Sequence, residues 1–321
     1  MAEQKPVTLE QHLAASGADK KLQKLISSFA YVALDAQHQF PKYLRGTMGD
    51  RNKYGEAVAA LDEWVNGYLC DSLVKTGLVR KIYSEELKEP LLAHNDAPFV
   101  VAMDPLDGSS NIVSNNAFGT IVGVYRDDLP QTGRKLVAAF YKLYGPVNTF
   151  VYTVGKGTHE FVKHYDSEGR AQFLLLADNM KIPEPGEVFG LGGDPVDWSP
   201  LFLRFGKDLF KKERMKARYS GTFVADFSQV LHRGGIFAYP STKKSPRGKL
   251  RLYYEAQPMA FLMEQAGGES WSGSSSLLDV VDNDVDARVP LYMGSRALVK
   301  KVMTALNGMT VNHTPTTIVK K

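Results

Sequence analysis

Two aspartates and a run of small polar residues follow one short apolar stretch of the chain. Residues 98–103 are almost entirely apolar, and Asp104, Asp107 and the segment 108–111 (Gly-Ser-Ser-Asn) come directly after them. Two hard carboxylates three residues apart across a proline-braced turn can aim at one point, and such donors select Mg²⁺ or Mn²⁺ over softer metals. Gly108 lets the backbone approach a ligand, and the N–H groups after it point at an anion if they open a helix. Metal ligands beside an anion cradle are what phosphoryl transfer to water requires. The ordinary alternative is a turn that merely ends a strand, but the complete eight-residue run favours a site.

Two carboxylates cannot hold a catalytic metal pair, so further acids must come from elsewhere in the chain. Glu85 and Glu86 are adjacent, and adjacent residues of an extended segment point to opposite sides. One of them can bridge metals while the other handles water. Glu255 ends a predicted strand directly before a helix, and Asp62 lies on a predicted helix. Taken alone, each of these acids is more often an exposed surface residue.

The elements expected to position these acids alternate between helices and strands. Apolar spacings of three and four predict helices over 8–40, and a second amphipathic helix follows a glycine-rich loop (46–55). The predicted segments are a helix at about 56–73, strands at 98–103, 120–125, 137–141 and 149–154, helices at 200–215 and 222–233, strands at 235–239 and 249–255, and a final helix with Pro258 in its first turn. A turn-rich stretch near 177–200 places a domain boundary there, which divides the chain into 1–180 and 181–321. The mixture indicates an α/β or α+β layered fold.

Composition excludes several classes of protein. Cys70 is the only cysteine, so neither an intrachain disulfide nor a cysteine zinc cluster can form, as expected of a reducing compartment such as the cytoplasm. No targeting peptide is visible, an organelle is not excluded, and no apolar run is long enough to span a membrane. A net charge of +4 is too small to indicate that the protein binds nucleic acid. The basic residues between 243 and 251, interleaved with tyrosines, suit a small anionic substrate instead.

The run Asp104–Asn111, together with motifs at 84–86, 219–221, 234–237 and 249–255, resembles the class I fructose-1,6-bisphosphatase and sedoheptulose-1,7-bisphosphatase family. The resemblance extends from about residue 8 to residue 300 and implies the sugar phosphatase fold, a layered α-β-α-β-α sandwich. It also implies a Mg²⁺-dependent enzyme (with Mn²⁺ as an alternative), a phosphoric monoester hydrolase that removes the C1 phosphate of a sugar bisphosphate. A homodimer or homotetramer is implied as well, with no nucleic-acid or membrane partner.

Individual roles follow from the positions that match the family's motifs. The metal ligands implied are Glu85, Asp104, Leu106 (through its carbonyl), Asp107 and Glu255. The acids that would polarise the attacking water are Asp62 and Glu86, and Glu56 matches an acid of a mobile loop. The C1-phosphate cradle implied is Gly108, Ser109 and Ser110. Sugar and distal-phosphate contacts are implied for Arg218 (reaching in from a neighbouring subunit), Tyr219, Tyr239 and Lys249.

Departures from the family's pattern bear on substrate and regulation. The Asn and Tyr that usually grip the 6-phosphate of fructose bisphosphatases are absent from 190–194. The turn at 16–20 and the pair Pro98-Phe99 replace the family's AMP-binding sequences, so AMP inhibition is expected to be lost. The N-terminal run 8–22 is similar to sedoheptulose bisphosphatases, whereas 237–246 is closer to fructose bisphosphatases. We therefore favour sedoheptulose 1,7-bisphosphate as the substrate, with an AMP-insensitive fructose-1,6-bisphosphatase as the alternative.

Two other functions remain open on the sequence. An inositol-phosphate or nucleotide-phosphate phosphatase would share the motif at 104–111, although the tyrosines and lysine between 219 and 249 disfavour it. A non-catalytic regulator that binds a metal or a sugar phosphate would have lost its water-activating acids, whereas Asp62 and Glu86 are both present.

Overall fold

The computed structural model describes residues 6–44 and 51–307. Eight strands form a first sheet in the order β2-β1-β3-β4-β5-β6-β7-β8, antiparallel throughout except where β1 lies parallel to β3. Its strands are β1 (Val79–Ser84), β2 (Leu91–Leu92), β3 (Phe99–Asp107), β4 (Phe118–Tyr125), β5 (Leu136–Tyr144), β6 (Asn148–Thr153), β7 (His159–Tyr165) and β8 (Ala171–Ala177).

A smaller sheet of five strands follows in the second half of the chain, in the order β10-β9-β11-β15-β13. A separate two-stranded pair joins β12 to β14. The strands are β9 (Val188–Leu191), β10 (Lys216–Ala217), β11 (Gly235–Tyr239), β12 (Leu250–Arg251), β13 (Glu269–Trp271), β14 (Arg288–Val289) and β15 (Leu291–Gly294). The turn-rich stretch 178–187 lies between the two sheets in sequence.

Helices cover both sheets and separate them. They are α1 (Leu9–Ala15), α2 (Lys20–Gln37), α3 (Phe40–Leu44), α4 (Arg51–Lys75), α5 (Pro200–Lys211), α6 (Phe223–Arg233), α7 (Gln257–Gln265) and α8 (Arg296–Asn307). Polar side chains cap the N-termini of several of these helices. Asp19 accepts hydrogen bonds from the N–H groups of residues 21 and 22 at the beginning of α2, and Ser199 and Thr222 cap α5 and α6 in the same way.

Alternating side chains of the central strands divide the interior into three apolar layers. On β5, Phe140 joins the core beneath α1, α2 and α4, whereas its neighbour Tyr141 joins the core that contains α6 and α7. On β11, Phe237 faces that same middle core, and Ile236 packs on the far side with α5 and α8. The order helix–sheet–helix–sheet–helix confirms the layered α-β-α-β-α sandwich expected from the sequence, with the middle helices buried against both sheets.

Several predicted boundaries were wrong. The glycine-rich loop ends earlier than expected, because α4 already begins at Arg51, and residues 45–50 lie outside the described part of the chain. The strand expected to stop at Met103 continues to Asp107 with a shift in register against β4. The predicted strand 249–255 is extended only at 250–251 and then becomes a π-helical turn, Leu252–Ala256. Strands β1, β2, β7–β10 and β13–β15 and helix α8 were not predicted. None of the described helices is long and apolar enough to cross a membrane.

Candidate active site

Strand β3 delivers the first two acids of the site from the interior of the protein. All nine of its residues are buried, and its register against β4 shifts between Asp104 and Asp107. The shift is stabilised locally, because the N–H of Leu106 donates to the Asp104 carboxylate (3.0 Å) and Thr120 donates its hydroxyl to the Pro105 carbonyl (2.8 Å). An irregularity of this kind re-aims side chains at the end of a strand.

Glu85 reaches the same place from the parallel neighbour of β3. Ser84 pairs with Met103, and the N–H of Glu85 donates to the Met103 carbonyl (3.1 Å). Glu85 and Asp104 thus follow matched positions at the carboxyl ends of two adjacent parallel strands, the usual location of ligand sites in such sheets.

Glu255 arrives from the second half of the chain, on the π-helical turn that leads into α7. Its carboxylate accepts a hydrogen bond from the N–H of Arg251 (2.6 Å). Wide turns of this type occur mostly as single turns and frequently at functional sites. Placing Glu255 at the end of a strand was therefore incorrect, although its position at the edge of an element was predicted.

Glu85, Asp104 and Glu255 form a carboxylate cluster. One oxygen of each lies within 4.8 Å of the others. Asp104 and Glu255 are buried, and burial raises the pKa of both carboxyls well above its usual range, with Glu85 adding to the effect through its negative charge. Among the described residues, the cation within salt-bridge distance of the cluster is Arg251, whose Nε lies 3.3 Å from Glu85. An acidic site that destabilises its own charged form in this way is suited to a multivalent cation.

Asp107 lines the same cleft but takes a different orientation. Its carboxylate accepts hydrogen bonds from the N–H groups of Phe223 (3.3 Å) and Val224 (2.6 Å) at the start of α6. Burial raises the pKa of Asp107 to about 7, against the opposing effect of those hydrogen bonds. Its oxygens are not part of the cluster, so the structure brings together three of the four predicted carboxylate ligands and holds the fourth beside them. Leu106 also lines the cleft.

Asp62 and Glu86, the acids predicted to act on water, line the same cleft. Asp62 projects from α4, and its carboxylate accepts a hydrogen bond from the Ser109 hydroxyl (3.1 Å). Burial raises the pKa of Asp62 to about 7, and Glu86 and Glu85 contribute in the same direction. Burial likewise raises the pKa of Glu86, helped by Glu85 and opposed by Arg251. The backbone of Glu56 belongs to α4, but its side chain lies outside the described part of the molecule.

Gly108 is the one residue of the cradle whose identity the structure requires. Its φ of +76° is a left-handed conformation, and a Cβ there would lie 1.9 Å from the Cγ2 of Thr222. The chain then turns into a short 3₁₀ helix, Ser109–Ile112, which places Ser109 and Ser110 on the cleft.

The cleft lining therefore has an acidic part, the acidic wall, and it also has a basic and aromatic part, the basic wall. The Nζ of Lys249 lies 5.6 Å from the centre of the Tyr239 ring, and Tyr219 stands beside that ring. Burial raises the pKa of the Tyr219 hydroxyl, with Tyr239 as the next contribution. Arg218 is exposed and does not line the cleft of this chain; its N–H donates to the Phe189 carbonyl (2.7 Å). The whole cleft has a volume of about 280 Å³.

Three residues of the site were not predicted. Arg288 lines the cleft from β14, Arg251 pairs with Glu85, and Asp226 is buried at the edge of the cleft. Asp226 accepts a hydrogen bond from the N–H of Ser220 (2.8 Å) and thereby holds the loop that carries Tyr219. The basic run that ends at Arg251 was a usable signal, whereas Arg288 and Asp226 have no distinctive sequence context.

Comparisons with known proteins identify the family of the chain. The family model described as "Fructose-1-6-bisphosphatase, N-terminal domain" matches residues 7–176, and "Fructose-1-6-bisphosphatase, C-terminal domain" matches residues 182–307. A protein of Methanocorpusculum labreanum named "Fructose-1,6-bisphosphatase class 1" is 42% identical over 295 residues, which cover 92% of this chain and 90% of that protein. A protein of the same name from Citrifermentans bemidjiense is 39% identical, with 94% of this chain and 92% of that protein covered.

Solved structures give the same result. The structure of Leishmania major fructose-1,6-bisphosphatase in its holo form is similar with a TM-score of 0.83 at 29% identity, and the match covers 94% of this chain and 99% of that one. The T-state of the same enzyme matches with a TM-score of 0.82 at 28% identity, over the same shares of the two chains. The chain therefore belongs to the fructose-1,6-bisphosphatase family and is, as predicted, a phosphoric monoester hydrolase.

Proposed function

We propose that the protein hydrolyses the C1 phosphate ester of fructose 1,6-bisphosphate and releases fructose 6-phosphate and phosphate. The observation that carries the proposal is a single cleft lined both by a buried carboxylate cluster and by the basic residues Lys249 and Arg288. A substrate with two phosphates needs both walls, and the relatives that match nearly the whole chain are named for the six-carbon substrate. The seven-carbon substrate favoured by the N-terminal run 8–22 finds no such support.

The cofactor we propose is Mg²⁺, held by Glu85, Asp104 and Glu255, with Asp107 and the Leu106 carbonyl as neighbouring donors. All of these are hard oxygen donors, which fit Mg²⁺ or Mn²⁺ and not a soft metal. The buried, mutually repelling carboxylates of the cluster fit a divalent ion better than a protonated or empty state. When bound, such an ion supplies charge neutralisation on the phosphoryl oxygens.

The chain's own residues orient the reactants and move the proton. Gly108, Ser109 and Ser110 bind the phosphate that leaves, since the left-handed Gly108 allows close approach of the backbone. Asp62 accepts the proton of the attacking water, and Glu86 assists it. A pKa of about 7 suits Asp62 to that task, because a general base works best when its pKa is near the working pH. Lys249, Tyr219 and Tyr239 hold the sugar and its second phosphate.

The substrate assignment is tested by turnover on three compounds under saturating Mg²⁺. We expect the largest kcat/KM for fructose 1,6-bisphosphate, a lower value for sedoheptulose 1,7-bisphosphate and little release from fructose 1-phosphate, which lacks a group for the basic wall. The segment 190–193 is the reason to compare the two sugars. A Cβ on Gly192 would lie 2.2 Å from the Tyr239 ring, so bare backbone occupies the space beside this tyrosine. A preference for the seven-carbon ester would overturn the assignment.

We propose further that the enzyme is an oligomer in which Arg218 serves a neighbour's cleft. The exposure of Arg218, away from its own cleft, supports this arrangement. Mixing two impaired variants, assayed at a substrate concentration well below KM, tests it. Arg218→Ala lacks the arginine but keeps the carboxylates, and Asp104→Asn has the reverse defect. Co-refolded mixtures should recover activity that neither variant has alone, whereas no recovery would contradict action between subunits.

AMP insensitivity is a third proposal. The turn between α1 and α2 is held by hydrogen bonds among its own residues. The Ser16 hydroxyl donates to the Leu13 carbonyl (2.7 Å) and accepts from the Ala18 N–H (3.2 Å). Phe99 is buried in the core beneath the helices. We expect unchanged turnover when AMP is titrated into the assay, and strong inhibition would contradict the expectation.

A further inference from the structure

Two histidines and an aspartate converge at the far end of the first sheet, away from the cleft. His12 lies in α1, His159 begins β7, and Asp178 directly follows β8. The Oδ1 of Asp178 is 3.2 Å from the Nε2 of His12 and 2.6 Å from the Nδ1 of His159. One potential ligand atom of each residue lies within 4.8 Å of the other two.

The outer nitrogen of each ring is already engaged. The Nε2 of His159 lies 3.0 Å from the carbonyl oxygen of Lys156, and it must carry a proton there because a carbonyl can only accept. The Nδ1 of His12 lies 2.5 Å from the hydroxyl of Tyr152. Partners of this kind fix the tautomer and the ring orientation of metal-binding histidines, and they leave the other nitrogen turned toward the shared point.

The inner nitrogens face a shared negative group. A neutral His159 that is protonated at Nε2 has one lone pair at Nδ1, which the N–H of Asn179 (3.1 Å) would release when a metal binds. That lone pair and a carboxylate oxygen 2.6 Å away repel each other unless a proton or a metal ion lies between them.

We propose that His12, His159 and Asp178 form a second metal site, for a late divalent transition metal such as Zn²⁺. Two imidazoles and one carboxylate are a donor set that Zn²⁺ accepts, and water would complete four-coordination. Ligand atoms of a tetrahedral zinc lie about 3.3 Å apart, so the His12–Asp178 spacing needs no change and the His159–Asp178 pair opens by roughly 0.7 Å.

The position of the site indicates a structural role. The N–H of Leu175 on β8 donates to the Val7 carbonyl (2.8 Å) just before α1, and Thr8 forms an isolated bridge with Leu174. A bound ion would add a third connection between α1 and the β7–β8 hairpin. Side-chain exposure is 14% for His12 and 8% for His159 but 61% for Asp178, so the ion could enter from solvent past the aspartate.

The test uses the full chain, freed of metal with a chelator, in the Asp104→Asn background so that the central cluster is already impaired. Zinc per chain is measured by equilibrium dialysis and Tm by thermal unfolding, with and without Zn²⁺. Asp178→Asn removes one ligand at an exposed position where the fold tolerates the change. His164→Gln is the matched control, since His164 is an exposed histidine on the same strand β7.

We expect the parent and the His164→Gln protein to bind one more zinc per chain than the Asp178→Asn protein, and to gain several degrees in Tm that the Asp178→Asn protein does not gain. Co²⁺ provides a second readout, because histidine ligands in a four-coordinate site give visible absorption bands that His12→Gln should abolish. Equal zinc binding in the parent and Asp178→Asn proteins would overturn the proposal and leave a protonated His159–Asp178 ion pair in its place.

Discussion

The two walls of the cleft are built in opposite ways. The acidic wall consists of carboxylates fixed at the ends of buried elements, such as Asp104 and Glu255, which are 6% and 5% exposed. The basic wall consists of long side chains at the surface, such as Lys249, with Tyr219 52% exposed. Burial destabilises the ionised form of the carboxylates in the acidic wall, whereas the charged groups of the basic wall are exposed to water.

This difference indicates a division of labour. Buried carboxylates in a rigid frame cannot relax away from one another, so they favour a bound cation and hold the reacting phosphate in one geometry. Solvated lysines and arginines cost little to maintain, and in the proposed role they would bind the remote phosphate about equally in the ground state and the transition state. The acidic wall should therefore control kcat, and the basic wall KM.

Asp104→Asn should have the largest effect. Loss of one charged ligand removes several kcal/mol of charge stabilisation, so kcat should fall by a factor of about 10³ or more. Steady-state phosphate release measures it, and circular dichroism checks the fold. The variant should unfold at the same Tm or a higher one without metal, because the buried charge is gone. A near-normal kcat would contradict the proposal that the acidic wall controls kcat.

Gly108→Ala tests whether the cradle depends on the left-handed turn. The strained φ and the overlap with Thr222 should lower the free energy of unfolding by about 2 kcal/mol or more and reduce kcat sharply. Gly169→Ala is the matched control, because Gly169 has φ +78° but its Cβ would meet no atom within 4 Å. The control should lose only about 1 kcal/mol of stability and keep its activity. Denaturant unfolding and phosphate release distinguish the two, and equal losses would show that overlap with Thr222 is unimportant.

Lys249→Met should separate binding from chemistry. Removal of one charge-assisted hydrogen bond raises KM for fructose 1,6-bisphosphate by about tenfold to a hundredfold with kcat changed less than threefold. Lys244→Met, in which an exposed lysine paired with Asp197 is lost, should leave both constants unchanged. A fall in kcat with KM unaffected would place Lys249 with the chemical machinery instead.

The smallest effect expected is a pH dependence of stability in the metal-free protein. The pKa values of Asp62 and Asp107 are raised to about 7 by burial, so the folded state binds more protons than the unfolded state between about pH 4 and pH 8. Carboxyls of this kind destabilise the fold as they ionise, so Tm should fall as the pH rises through 7. Mg²⁺ should flatten the dependence. A Tm that rises over this interval without metal would contradict the account of the acidic wall.

The sequence predicted the acidic wall better than the basic one, for a physical reason. Asp104 and Asp107 lie three residues apart on one buried strand, so their meeting is local. Glu85 joins them through one parallel strand pair. Glu255 was noted as an acid at the edge of an element, but its role as a metal ligand came from the family resemblance, because the π-helical turn that carries it depends on packing between the sheets and not on a local pattern.

The basic wall depends on long-range packing that a sequence pattern does not encode. Arg288 enters the cleft because β14 pairs with β12, and Asp226 matters because α6 places it under the 219–221 loop. Strands β7 and β8 were missed because half-buried strands at the end of a sheet carry a weak apolar pattern. The preference for a seven-carbon sugar came from the N-terminal run, which lies in α1 and its surroundings and does not line the cleft.

The most direct test of the central claim is the return of activity when Mg²⁺ is added to chelator-treated protein. Phosphate release from fructose 1,6-bisphosphate is measured for the wild type and for Glu255→Gln across a Mg²⁺ titration. We predict no release from either protein before addition, full recovery of the wild type, and recovery of the variant to at most about one thousandth of that rate. Undiminished release by the wild type in chelator, or equal recovery of the two proteins, would contradict a metal-dependent site built on the buried carboxylates.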